Sequence, residues 1–129
     1  MRTSEQIYQK MERIAQRDGR YKIEAYLFVL DAFEHTLKKL RRKRNITGKD
    51  LLEGIKTLGI GKYGPTTRLV FEHWGVKTTE DFGWIVFNMV EAGLMRKAEE
   101  DTIEDFKDVF NFREEFDDKF EFRVDKDSL

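Results

Sequence analysis

From Tyr21 to Arg44 the chain reads YKIEAYLFVLDAFEHTLKKLRRKR, the longest helical pattern it contains. Ile23, Leu27, Leu30, Leu37 and Leu40 recur at helical spacing, and Tyr26 and Phe33 widen the stripe. Between Ala25 and Leu30 the apolar character runs nearly all the way round, the pattern of a helix packed on several sides. This segment is therefore predicted to be the central helix. Its last two turns differ in kind: Lys38, Lys39, Arg41, Arg42, Lys43 and Arg44 surround a single apolar residue, Leu40.

Elements on either side follow from similar signals. Thr3–Arg17 places Ile7, Met11, Ile14 and Ala15 at helical spacing, and Asp18-Gly19 stops the pattern, since glycine accepts the left-handed conformation that often follows a helix. Three later helix starts share one motif. Thr47-Gly-Lys-Asp50, Thr78-Thr-Glu-Asp81 and Thr102-Ile-Glu-Asp105 each set an acid three residues after a threonine. The hydroxyl accepts from a free backbone N–H and the acid suits the positive end of the helix dipole. A further start is Pro65, whose missing N–H is harmless in a first turn; that helix is expected to run to Trp74 and end at Gly75. Thr79–Ala92 is the most apolar helix, with Gly93 behind it, and Thr102–Asp118 is expected to be an amphipathic helix with Phe106, Val109, Phe110, Phe116 and Phe120 along one stripe. The fold class is mainly α: one compact domain over 1–129 with five or six helices. The N-terminal helix occupies 1–18, 119–129 is expected to be a flexible tail, and a small winged-helix-like β element has room at 94–98 or 119–124, where KFEFRV alternates.

From about Tyr21 to Asp117 the chain resembles a small bacterial family known by a "Minf" locus-tag name. The resemblance is carried by Thr47-Gly-Lys-Asp-Leu-Leu, Tyr63-Gly-Pro, Val70-Phe-Glu-His-Trp-Gly-Val, Thr79-Glu-Asp-Phe-Gly, Ile85-Val-Phe-Asn-Met-Val-Glu, and Asp105-Phe with Phe110-Asn-Phe. It implies a family and brings no activity, cofactor or catalytic residue. The basic run at 38–44 is heavier than the resemblance would lead one to expect.

Composition narrows the function. With 129 residues, 11 Phe and 2 Trp the chain can bury a real core, which excludes disorder. Without cysteine, disulfides, cysteine-ligated zinc or iron–sulfur sites and thiol catalysis are excluded. No apolar run approaches the roughly 20 residues that span a bilayer, and the first residues lack a signal-peptide core, so a cytoplasmic domain without membrane contact is expected. The net charge of −1 conceals a division: residues 1–68 carry 16 basic and 8 acidic side chains, and residues 69–129 carry 8 basic and 17 acidic ones. Such a division marks either a charged partner or two halves that attract each other.

The candidate sites are few. Lys38, Lys39, Arg41, Arg42, Lys43 and Arg44, with Lys62 and Arg68 near the Pro65 helix start, form a candidate nucleic-acid or other anion-binding set. Gly59-Ile-Gly-Lys-Tyr-Gly-Pro is no nucleotide loop, because it follows a helical pattern and Tyr63 stands where a magnesium-binding hydroxyl belongs. Pro65–Ala92 invites comparison with a helix-turn-helix, yet its second helix offers Glu80, Trp84, Asn88 and Glu91 and no cation, which suits a protein partner better than DNA. His35 and His73 each directly follow a glutamate, and adjacent helical residues point about 100° apart, so two-histidine metal chemistry is poorly served and neither metal nor cofactor is expected. The leading expectation is a non-enzymatic interaction or regulatory module that associates with itself or another protein. Nucleic-acid or polyanion binding through 38–44 is the alternative, and a metal-dependent enzyme using histidine and carboxylate pairs comes last.

Overall fold

The computed structural model describes residues 3–40, 46–98 and 101–119. Five α-helices account for most of them: α1 (Ser4–Asp18), α2 (Ile23–Leu40), α3 (Gly48–Tyr63), α4 (Thr67–His73) and α5 (Thr79–Glu91). The mainly α, bundle-like architecture is as the periodicity predicts.

Helix boundaries follow the capping chemistry. Thr3, Thr47 and Thr78 each accept from the backbone N–H three residues on, and Gln6, Asp50 and Asp81 return the bond to the cap residue's own N–H. Gly19, at φ +78°, closes α1. Pro65 sits in a 3-10 turn, Gly64–Thr66, which leads into α4. Gly75, at φ +91°, then ends α4; a Cβ there would run into the Arg20 carbonyl, because the chain entering α2 is stitched to this turn by Lys22 N–H donating to Trp74 O at 3.0 Å.

α2 is central, packing on α1, α3 and α5. Its buried face is Ala25, Tyr26, Phe28, Val29, Ala32 and Thr36. This corrects the predicted stripe. Leu27 and Leu37 are both 38% exposed, and Ile23, Leu30 and Leu40 are only half-buried. The small residues face inward because α2 and α3 cross closely: a Cβ on Gly54 would collide with Thr36. The core is aromatic. Phe71 lies at its centre, with ring centroids 5.1 Å from Phe82, 5.3 Å from Phe28, 5.4 Å from Phe116 and 5.8 Å from Phe112.

The C-terminal part departs most from expectation. A single helix over 102–118 is replaced by a 3-10 turn (Ile103–Phe106), a break, and a π-helical stretch (Arg113–Asp118). Asp108 adopts φ +52° in the break. Two packing demands explain it. Phe106 is wedged under α3 and α5, where any Cβ on Gly48 or Gly83 would press on its ring, and Phe112 with Phe116 must reach Phe71. One straight helix cannot satisfy both, so Val109 is left 36% exposed and Phe112, off the predicted stripe, is buried. No strand occurs among the described residues; 94–98 is a bend and an irregular segment, so the β element expected there is not formed. Residues 120–124, the other place for it, lie outside the described residues, as does most of the expected tail.

Candidate functional site

The predicted partner face on α5 is built into a polar network at the elbow between α1 and α2. Asp18, the last residue of α1, accepts from Arg20 Nε and Nη2, both at 2.8 Å. Asn88 of α5 donates to Asp18 Oδ2 at 2.9 Å and to the Tyr26 hydroxyl at 3.0 Å. The Tyr21 hydroxyl donates to Asp81 at 2.5 Å, whose other oxygen accepts from Lys77 N–H and Thr78 N–H. Trp84 donates to Glu80 at 3.2 Å and lies under the Arg20 guanidinium, 5.4 Å from its ring. Glu91 alone of the four predicted residues is fully exposed.

Electrostatics agree with a clasp rather than a reactive centre. Arg20 beside Asp18, with help from Asn88, holds the Asp18 carboxyl far below the usual carboxylate range despite its burial. Burial, then the bond to Asp81, pushes the Tyr21 phenol well above its ordinary value, and burial pushes Tyr26 in the same direction. Each group is fixed in one protonation state at neutral pH, the opposite of a group poised to exchange protons. Among the described residues no buried side-chain nitrogen or oxygen lacks a hydrogen-bond partner.

Among the described residues, two of the predicted anion-binding side chains are engaged by acids of the fold. Lys62 pairs with Asp31 at 3.4 Å, and Arg68 bridges Asp117 at 2.7 Å and Glu72 at 2.9 Å. The acids of the C-terminal part meet the basic half of the chain elsewhere: Glu115 contacts Lys56, and Asp101 accepts from Gly48 N–H at the start of α3. Lys38 and Lys39 are exposed at the end of α2, and no ion pair joins either to a described acid. Arg41, Arg42, Lys43 and Arg44 lie outside the described residues. Arg96 and Lys97, from the acidic half, line a narrow slot together with Phe33 and Ile46, which bracket the basic run in sequence. Sequence distance concealed them.

The histidines remain apart from any ligand set. His73 Nε2 is 3.2 Å from Lys22 Nζ, while Asp31 and Glu72 are taken by Lys62 and Arg68. Among the described residues no group of three or more His, Asp or Glu is arranged to hold a metal ion. An open cleft of about 370 Å³ lies beside the start of α5, lined by Lys77, Thr78, Asp108, Asn111 and Glu114. At that helix start the Thr78 N–H is held by the Asp81 carboxylate and the Asp81 N–H by the Thr78 hydroxyl.

The surface that sequence reasoning misplaced is the outer side of α2. At 100° per residue, Ile23, Leu27, Leu30 and Leu37 fall within an arc of about 80°, roughly opposite Ala25, Val29, Ala32 and Thr36; Leu27 and Leu37 are exposed there, while Ile23 and Leu30 also pack against the core. The signal was present, since a helix apolar all round has a second face to cover. No helix among the described residues is long and apolar enough to cross a membrane. No protein-family model, curated protein or solved structure matches the chain.

Proposed function

We propose that this protein is a non-enzymatic interaction module that associates with itself through the outer side of α2. One observation carries the reading: on the side of the central helix away from Ala25, Val29, Ala32 and Thr36, Leu27 and Leu37 are each 38% exposed, beside Ile23 and Leu30, which are partly buried against the core. Leucines at regular spacing on one helix face are the usual material of helix–helix contacts between chains. The α5 face recedes as a docking surface, because Trp84 and Asn88 serve the polar clasp.

The reading is tested by backbone amide NMR on dilution from millimolar to micromolar protein. Shift changes confined to Ile23–Leu40 support it; shifts independent of concentration overturn it.

A second reading, polyanion binding through Lys38–Arg44 in a cytoplasmic protein, is supported by the exposure of Lys38 and Lys39 and by the other pairings of the C-terminal acids. Fluorescent DNA and RNA titrated at two salt concentrations test it. Every phosphate that a charge-reversed variant no longer neutralises should flatten the salt slope by about 0.9 on duplex DNA. Equal binding by a variant neutralised across 38–44 would exclude it.

A further inference from the structure

Charge is distributed along the outer side of α2 with a polarity that selects one way of pairing. Glu24 stands in the first turn and Lys38 in the last, both exposed. They are 14 positions apart, so they lie about 21 Å apart along the axis and about 40° apart around it, on the same flank of the leucine stripe. Residues on one flank of a helix meet the same flank of a second helix only when the two run antiparallel. From these positions we infer that the chain forms an antiparallel homodimer, α2 against α2 of a second copy, with its two-fold axis near residue 31.

In that arrangement Glu24 of each copy faces Lys38 of the other, making two equivalent ion pairs. Leu30 lies near its own counterpart, and Leu27 of one copy comes beside Leu37 of the other. A parallel pair would place the two basic ends together and the two acidic starts together, and would bring Glu24 to neither lysine. Asp31 falls at the two-fold axis on the charged flank, where its pairing with Lys62 offsets repulsion from its copy. Glu34 interrupts the stripe, four residues before Lys38. The contact is thus mixed apolar and charged. Confined to a helix about 27 Å long, it belongs among small, reversible interfaces, and association in the micromolar-to-millimolar range is expected.

This inference rests on the self-association reading, and the test separates the two. Sedimentation equilibrium at low salt is run on the wild-type chain, on Glu24→Lys, on Lys38→Glu, and on the double variant Glu24→Lys/Lys38→Glu. Each single reversal turns both ion pairs into repulsions and should weaken dimerisation roughly tenfold; the double reversal should restore it. As a second measurement that tolerates a destabilised single variant, Glu24→Cys and Lys38→Cys proteins are oxidised separately and mixed. The native chain has no cysteine, so every cross-link is assignable. A disulfide dimer enriched in the mixture supports the antiparallel pair. A wild-type dimer that ignores the reversals and gives no enriched mixed disulfide overturns this geometry alone. A wild-type monomer throughout overturns the self-association reading as well.

Discussion

Asp18, Arg20, Tyr21, Tyr26, Asp81 and Asn88 convert the elbow between the first two helices into a fixed joint, and their ionisation makes the joint visible to pH. Asp18 is held below its unfolded value by Arg20. Its contribution is therefore present above about pH 4 and is lost as pH falls from there toward the folded value. The tyrosines act in the opposite sense. Tyr21 and Tyr26 keep their protons in the folded chain beyond the pH at which an unfolded tyrosine loses them. Stability should fall as pH rises past about 10, with up to one proton of slope from each. Urea titrations from pH 7 to 11 should show this alkaline loss, and Tyr26→Phe should make it shallower. At neutral pH Asn88→Ala should cost about 1–2 kcal/mol, because it removes two hydrogen bonds and strands the Tyr26 hydroxyl. None of this network follows from spacing, since Asn88 lies 62 and 70 positions from its partners; the sequence marks Asn88 only as a polar residue on an apolar helix.

Among the elements, those with caps were the legible ones. Thr47 and Thr78 carry their own hydrogen-bond partners three residues away, so local chemistry is enough to place α3 and α5, while α1 was legible from its apolar spacing. The identity of the buried face was not local. On α2 the leucine stripe and the alanine–threonine face compete, and the close crossing of α3 at Gly54 gives the inside to the small residues. Thr102 shows the limit from the other side. Its N–H donates to Asp105 as at the other helix starts, yet the helix it starts ends after one 3-10 turn because Phe106 must fit between Gly48 and Gly83. A Cβ on Gly83 would stand 2.7 Å from Phe106 Cβ, so Gly83→Ala should destabilise the fold by about 1–3 kcal/mol in thermal unfolding. Phe71→Ala, which empties the centre of the aromatic cluster, should cost about 3–5 kcal/mol. Leu27→Glu and Leu37→Glu, outside the core, should leave the melting temperature nearly unchanged.

For the whole molecule, the division of charge acquires a geometry. Part of the acidic excess of the second half is taken up within the fold, by Lys56 against Glu115 and by Arg68 against Asp117. With side chains only 11–25% exposed, these two pairs hold the C-terminal segment against α3 and α4. Of the basic run, the described Lys38 and Lys39 are exposed and form no ion pair with a described acid, and they follow Leu27 and Leu37, which are each 38% exposed. Near-neutrality overall is what lets two copies approach without long-range repulsion. The same balance makes added salt informative: it should weaken the Glu24–Lys38 contact while leaving the leucine contact in place, so association should decline only partly as salt rises.

Sedimentation equilibrium of the wild-type chain over a wide concentration range, beside the Leu27→Glu/Leu37→Glu double variant, tests the central claim most directly. Reversible dimer formation by the wild type, with a double variant that stays monomeric at an unchanged melting temperature, is the predicted result. A wild-type chain that remains monomeric at millimolar concentration, or a double variant that dimerises as well as the wild type, would contradict it.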